Sequence, residues 1–317
     1  MKTLVSIITP CLNEENNIRS CRDRVNAIFE SKLSNYEYEH IFADNGSTDR
    51  TRSMLRELAT EDKRIRVILN SRNFGPDASM LNALKRTSGD IVMVMIPADL
   101  QDPPELLPEF INKWKEGYKV VYGIRNQREE NALLAGTRNV FYRAVAWLSS
   151  IEIPRNVGDY QLIDRVVANA LCEFNENKPY LRGMIASCGF PSIGINYKVQ
   201  NRTAGITTNN LWRLIDQGLN GLISFSSLPL RLCMAGGVVI AFTSLLYATI
   251  SLIVNLVYFR ELAPPGIPTL IVALFFFGGV QLFFLGVLGE YVSAIHAQVR
   301  RRPLVIEEEI LNFEKVE

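Results

Sequence analysis

Two runs of 28 residues, 232–259 and 262–289, contain no charged side chain. A helix needs about 20 apolar residues to cross a bilayer core, so either run is long enough to span. Buried helices of soluble proteins rarely stay uncharged for so long. Arg260 and Glu261 separate the runs, followed by Pro264, Pro265 and Pro268. A charged, proline-marked break between two apolar spans predicts a transmembrane helical hairpin.

Arg231 precedes the first run, and Arg300, Arg301 and Arg302 follow the second, whereas the intervening turn has one Arg offset by Glu261. The positive-inside rule then predicts a multi-pass protein of the inner (plasma) membrane with both chain ends, and the N-terminal domain, cytoplasmic. Ahead of the hairpin, Leu211, Trp212, Ile215, Leu219, Leu222 and Ile223 fall near helical spacing. They predict an amphipathic helix over 209–227, lying in the membrane interface or packed on the N-terminal domain. The expected organisation is a domain over 1–208, this helix over 209–227, two spans within 228–299 and a cytoplasmic tail over 300–317.

The net charge of +1 gives no footprint for nucleic acid. Cys11, Cys21, Cys172, Cys188 and Cys233 are odd in number and scattered, without metal-binding or disulfide spacing, which fits a reducing compartment. The apolar stretch 4–8 stops at Thr9 and Pro10, too short for a signal peptide and suited to a buried strand.

Over the first 122 residues, short β-branched runs alternate with helical patterns. Strands are expected at 4–8, 39–43, 65–69, 91–96 and 120–122, with helices at 15–29, 50–59, 77–87 and 104–114 between them. This alternation predicts an α/β, Rossmann-like domain with a mostly parallel sheet covered on both faces. Ligands of such sheets bind beyond the carboxyl ends of the strands.

Those ends are polar here. They carry Thr9-Pro10-Cys11-Leu12-Asn13-Glu14-Glu15, Asp44-Asn45-Gly46-Ser47-Thr48-Asp49 and Pro97-Ala98-Asp99-Leu100-Gln101-Asp102-Pro103-Pro104-Glu105. Singly, each has an ordinary structural reading: Asn13 as a helix cap, Asp44-Asn45-Gly46 as a turn, Asp49 as a second cap. Three such segments at one sheet edge argue for a site. No G-x-G-x-x-G follows the first strand and no P-loop signature occurs, which excludes the usual dinucleotide and P-loop solutions for holding phosphates. A divalent cation on carboxylates remains, with Asp99 and Asp102 as candidates. His40 and His296 are too few and too far apart for a triad or zinc site.

These three segments resemble the GT-A family 2 glycosyltransferases. The resemblance is strongest to the polyprenyl-phosphate branch, which includes dolichol-phosphate mannose synthases and bactoprenol glucosyl transferases. Arg72-Asn73-Phe74-Gly75, Asn156-Val157-Gly158-Asp159-Tyr160, Arg202-Thr203-Ala204-Gly205 and the terminal Gly286-Val287-Leu288-Gly289-Glu290-Tyr291 extend it over nearly the whole chain. The resemblance implies a GT-A catalytic domain that moves a sugar from a nucleotide-sugar, UDP-glucose by analogy, to undecaprenyl phosphate for cell-envelope glycan modification. It implies that Pro10, Asn13, Glu14, Asp44 and Asn45 bind the nucleotide. Asp99 and Gln101 would hold Mg²⁺ or Mn²⁺, Asp159 would be the acceptor-side catalytic carboxylate alongside Asp99, and Arg125, Arg138 and Arg202 would grip the lipid phosphate. Further copies of the chain are an open alternative among partners; nucleic acid is not expected.

Two departures stand out. Pro97 replaces the first Asp of the family's Asp-x-Asp metal motif, and Thr207-Thr208 stand where a Lys often follows Arg-x-Ala-Gly. The competing readings are a membrane glycosyltransferase extending a glycan and a catalytically inactive membrane partner. A phosphate monoester has a second pKa near 6 and is largely dianionic at neutral pH, so it needs no strong base to attack. Asp159 is therefore expected to orient an Arg or a sugar hydroxyl, with removal of a residual acceptor proton as its alternative role.

Overall fold

A computed structural model describes residues 2–125, 157–174, 176, 179–200, 230, 233–240, 242–243, 246–247, 249–250, 267–299 and 303–313. The described residues fall into two compact units, one holding residues 2–200 and 303–313, the other 230–250 and 267–299.

The first unit is built on an eight-stranded sheet. Its strands are β1 (Leu4–Cys11), β2 (Glu37–Asp44), β3 (Ile65–Asn70), β4 (Ile91–Met93), β5 (Val120–Arg125), β6 (Val157–Asp164), β7 (Ser192–Tyr197) and β8 (Glu307–Leu311). Their order is β7-β5-β6-β4-β1-β2-β3-β8. Strands β4, β1, β2 and β3 run parallel, as do β5 and β7, while β6 is antiparallel to both β4 and β5, and β8 to β3. Six of the eight strands share one direction, so the sheet is mostly parallel as expected, with β6 and β8 running against their neighbours.

The helices follow from apolar spacing. In α1 (Ile18–Ser31), Ile18, Cys21, Val25, Ile28 and Phe29 are buried. In α2 (Thr51–Glu61) the buried face is Thr51, Leu55, Leu58 and Ala59. Helix α3 (Pro76–Leu84) begins with Pro76, whose missing N–H costs nothing at a helix start, preceded by Gly75 at φ 92°. A 3₁₀ turn (Pro104–Leu106) leads into α4 (Leu107–Lys115), which buries Leu107, Phe110 and Ile111. Helices α5 (Arg165–Glu173) and α6 (Leu181–Ser187) complete the unit.

Strand β4 is shorter than the apolar run 91–96. Beyond Met93 the chain divides its bonds, with the Val94 N–H donating to Gln161 O at 2.8 Å and the Ile96 N–H to Ile8 O at 2.9 Å. Pro97 then offers no N–H, so the ladder ends and the polar loop begins.

The second unit contains α7 (Ile267–Val299), 33 residues long and so about 50 Å. Among the described residues it is the one helix long and apolar enough to cross a membrane, through the stretch Phe276–Ser293. Leu270, Leu274 and Leu282 are each about 70% exposed, the expected condition of a helix whose solvent is lipid. The expected multi-pass topology is corrected accordingly, because helical residues between 233 and 250 form no span of sufficient length among those described. The assignment to an inner membrane with a cytoplasmic catalytic domain rested on a two-span hairpin and is withdrawn with it. The predicted amphipathic helix over 209–227 and the turn at Arg260 and Glu261 lie outside the described residues.

Candidate active site

The antiparallel direction of β6 decides the site. Strands β1, β2 and β4 run parallel, so Cys11, Asp44 and the loop after Met93 lie at one edge of the sheet. Strand β6 runs the other way, with Ile91 opposite Asp164 and Met93 opposite Leu162, so its first residues, including Asp159, reach that same edge. Strand β5 ends there too, with Arg125.

Loops after β1 and β2 are laced together by side chains. Asn13 has φ 56°, a left-handed conformation that Asn tolerates. Its Oδ1 accepts from Thr48 N at 2.8 Å, and its own N–H donates to Ser47 Oγ at 2.8 Å. The Glu14 N–H donates to Thr51 Oγ1 at 2.9 Å, and Glu14 Oε2 accepts from Asn17 Nδ2 at 2.6 Å. Asn13 therefore ties two loops rather than capping α1, whose cap residue is Asn17. Asp49 Oδ1 accepts from Thr51 N at 3.0 Å, at the start of α2.

Asp44 is fully buried and accepts from the backbone N–H groups of Gly46 and Ser47. Burial raises its pKa, while the Ser47 bonds and the Arg52 charge oppose that rise. Asn45 carries the lacing to the next loop: its Nδ2 donates to Asn73 Oδ1 at 2.9 Å, and its Oδ1 accepts from Phe74 N at 3.0 Å. Gly46 has φ 81°, and a Cβ there would lie 2.7 Å from the Arg72 carbonyl carbon, so this close approach requires glycine. Pro10 pairs with Ala43 in the β1–β2 ladder.

In the loop after β4, Asp99 Oδ1 accepts from Gln101 N at 3.2 Å, and Leu100 adopts φ 57°. Asp102 has no exposed side-chain surface. Its Oδ2 accepts from Arg125 Nη2 at 2.8 Å and its Oδ1 from Tyr197 OH at 2.5 Å. Arg125 Nε in turn donates to Tyr197 OH at 3.0 Å. Burial acts to lower the Arg125 pKa, but Asp102 and Tyr197 more than offset it and the net shift is upward. Asp102 thus fixes the loop through Arg125 and Tyr197.

Asp159 Oδ1 lies 3.1 Å from Arg182 Nε. Arg182 also donates through Nη1 to Val157 O at 3.1 Å. Asp77, in the first turn of α3, accepts from Leu181 N at 3.3 Å. Burial and then the charge of Asp159 push the Asp77 pKa up to about 6. Sequence reasoning missed Asp77, Arg182 and Tyr197. Asp77 directly follows Arg72-Asn73-Phe74-Gly75-Pro76, which was its available signal; Arg182 and Tyr197 carried none. Arg138 and Arg202 lie outside the described residues.

Two further reactive groups on β1 and β2 are silent. Burial, then the Asp44 charge, lifts the Cys11 thiol well above its ordinary value, so it is no thiolate nucleophile. Burial lowers the His40 pKa to about 3, and its Nε2 lies 2.8 Å from Thr9 Oγ1, the arrangement of a structural histidine.

No group of three or more His, Cys, Asp or Glu side chains suited to a metal occurs among the described residues. The Asp99 loop nevertheless fits a hard cation, since Mg²⁺-type sites combine one or two carboxylates with substrate phosphates. Asp99 and Gln101 are the residues there that could hold it, with a diphosphate to complete the set.

Comparison with known proteins follows this geometry. Residues 6–187 match the family model for glycosyl transferase family 2, and residues 228–295 match that of the GtrB C-terminal hairpin. The chain is 36% identical over 302 residues to the uncharacterized glycosyltransferase YkcC of Bacillus subtilis, covering 95% of this chain and 92% of that protein. It is 35% identical over 303 residues to the bactoprenol glucosyl transferase of Shigella phage SfII, covering 95% and 96%. Among solved structures it is similar to glucosyl-3-phosphoglycerate synthase of Mycobacterium tuberculosis, with TM-score 0.48 and 21% identity, over 70% of this chain and 79% of that one. A mixed α/β domain carrying its polar loops at one sheet edge, matched over more than half the chain by one family model, makes this protein a membrane-associated glycosyltransferase of family 2, related to the bactoprenol glucosyl transferases.

Proposed function

We propose that this glycosyltransferase moves a sugar, glucose from UDP-glucose in the first instance, onto a polyprenyl phosphate at a membrane face. The observation that carries the reading is the convergence of Asp44, Asp99 and the Asp159–Arg182 pair on one sheet edge; the chain also contains an apolar helix, which suits an enzyme with a lipid acceptor. The likeness to a bactoprenol glucosyl transferase over 95% of the chain supports the acceptor class.

In this reading the loops holding Pro10, Asn13, Glu14, Asp44 and Asn45 receive the nucleotide. Asn13 and Asn45 act by holding those loops, and Asp44 accepts from the base or ribose. Asp99 and Gln101 would hold Mg²⁺ or Mn²⁺, which would supply positive charge against the donor diphosphate. An oxygen of the acceptor phosphate attacks the anomeric carbon. The bond from that carbon to the diphosphate breaks, and its electron pair leaves with the nucleoside diphosphate.

The dianionic acceptor already carries its nucleophilic electron pair, so Asp159 serves best by orienting Arg182 toward the phosphate. Arg is well suited to bidentate phosphate contact. Arg125 is tied to Asp102 and Tyr197, so its part in holding the acceptor is secondary to fixing the loop. The test is turnover by the purified full chain with undecaprenyl phosphate and a panel of nucleotide-sugars plus Mg²⁺ or Mn²⁺. Acceptor-dependent release of UDP with formation of a lipid-linked sugar is expected. Transfer to a glycan but not to the lipid phosphate would reject the proposal.

A further inference from the structure

Strand β8 follows α7 in sequence and closes the β3 edge of the sheet. Val67, Ile68 and Leu69 pair with Leu311, Ile310 and Glu309, but Asn70 then pairs with Glu307. Glu308 is the extra residue of a β-bulge, a device that re-aims a side chain. The three consecutive glutamates consequently find three different arginines. Glu307 meets Arg86, Glu309 meets Arg56 at 2.8 Å, and Glu308 Oε2 meets Arg52 Nη2 at 2.7 Å. Because of the bulge, both Glu308 and Glu309 reach α2, where Arg52 and Arg56 are one turn apart.

Arg52 differs from its neighbours in having a second carboxylate. Its Nε lies 3.5 Å from Oδ2 of Asp44 and makes no hydrogen bond. At that separation Arg52 lends charge to the buried carboxylate without occupying its acceptor positions. Those positions are what a base or ribose hydroxyl of the donor would use. An Arg52 released from Glu308 either leaves Asp44 uncompensated in its buried setting or closes onto it and takes the lone pairs that the donor needs. Either movement weakens the donor contact.

We propose that Glu308 is a positioning residue: through Arg52 it keeps a guanidinium beside Asp44 without a direct bond, leaving the lone pairs not taken by Gly46 and Ser47 to the nucleotide and making β8 part of the donor site. The inference rests on the proposed nucleotide contact of Asp44. Steady-state kinetics of the full chain, with donor and acceptor varied separately, would test it. Glu308→Ala should raise the donor KM about three-fold, the size expected when a partly exposed ion pair is lost, with kcat and the acceptor KM unchanged. Arg52→Lys should raise the donor KM likewise, because a point charge cannot serve both carboxylates. Glu309→Ala removes an equivalent ion pair from the same strand and should leave the donor KM alone. Equal effects of Glu308→Ala and Glu309→Ala would overturn the proposal in favour of simple strand docking. So would an unchanged donor KM in Glu308→Ala beside a raised one in Asp44→Asn. An unchanged donor KM in Asp44→Asn would instead reject the nucleotide contact, and the inference with it. Matching thermal midpoints of the variants would confirm that folding is not what is being read.

Discussion

Arg182 places its Nε 3.1 Å from Asp159 Oδ1, at the edge of the sheet that also carries Asp44 and Asp99. An arginine so held can present its remaining donors to a phosphate in a fixed direction. Asp159→Asn keeps the shape but loses the charge that holds Arg182. Its turnover should fall at least about ten-fold, the size of one lost transition-state contact of roughly 1.4 kcal/mol. Little should be regained between pH 6 and 8.5, where the acceptor becomes dianionic unaided. Strong recovery at high pH would instead assign Asp159 as the base for a monoanionic acceptor. Comparing pH–rate profiles of mutant and wild type decides, because the acceptor is common to both.

Asp77 should make stability depend on pH. Its folded pKa of about 6 lies above the ordinary 3.8. The folded state therefore favours the protonated form, and that contribution is fully present below about pH 3.8 and lost as pH rises through 6. Asp77→Asn mimics the neutral form and keeps an acceptor for Leu181 N. It should be more stable than wild type at pH 7.5, by about 1–2 kcal/mol after allowing for partial exposure. The difference should vanish near pH 4. Denaturant unfolding at the two pH values measures it.

Tyr197→Phe removes one of the two side-chain partners of a carboxylate with no exposed surface. Losing a hydrogen bond to a buried charged group costs about 1.5–3 kcal/mol. The variant should unfold at lower denaturant by that amount. It should also need more Mg²⁺ or Mn²⁺ for half-maximal rate, since Asp102 fixes the loop that carries Asp99. Unfolding curves and metal titration report the two effects separately.

Asp99→Ala should nearly abolish turnover while the protein still folds, with a loss of about 1–3 kcal/mol in stability because the buried Asp99 accepts from Gln101 N. Full activity in a well-folded Asp99→Ala would reject the metal assignment. Pro97 stands at the position of the absent first Asp, which leaves Asp99 as the one carboxylate of the Asp-x-Asp motif and makes this test sharper.

Gly46→Ala should be disabling beyond what an exposed loop would suggest. The added methyl would meet the Arg72 backbone at 2.7–2.9 Å, and the positive φ adds strain. A loss of more than about 1 kcal/mol in stability is expected, with a raised donor KM, since the two loops that Asn45 joins must separate.

Amino-acid order by itself determined the parallel half of the sheet. Strands β1, β2, β3 and β4 read clearly because each is a β-branched run bounded by polar residues and followed by a helix of period 3.6, features that depend only on neighbours in sequence. The polar segments after β1, β2 and β4 were legible for the same reason, as was the apolar character of α7. Strand β6 was not legible: Val157-Gly158-Asp159-Tyr160-Gln161 has neither alternation nor a continuous apolar run, and its burial comes from neighbours on both sides. Nor was β7, where Gly194 is needed because a Cβ would strike Tyr122 and Ile124. Nor was β8, whose three adjacent glutamates look like a solvated tail until Arg52, Arg56 and Arg86 are set opposite them. Only the tertiary structure decided which carboxylates gather at the polar edge of the sheet. The direction of β6 brings Asp159 to the edge of Asp44 and Asp99, while Arg125 and Tyr197, remote in sequence, bind Asp102. Pairing between strands far apart in the chain is a non-local choice, made by burial and hydrogen-bond satisfaction over the whole sheet, and no local pattern of residues records it.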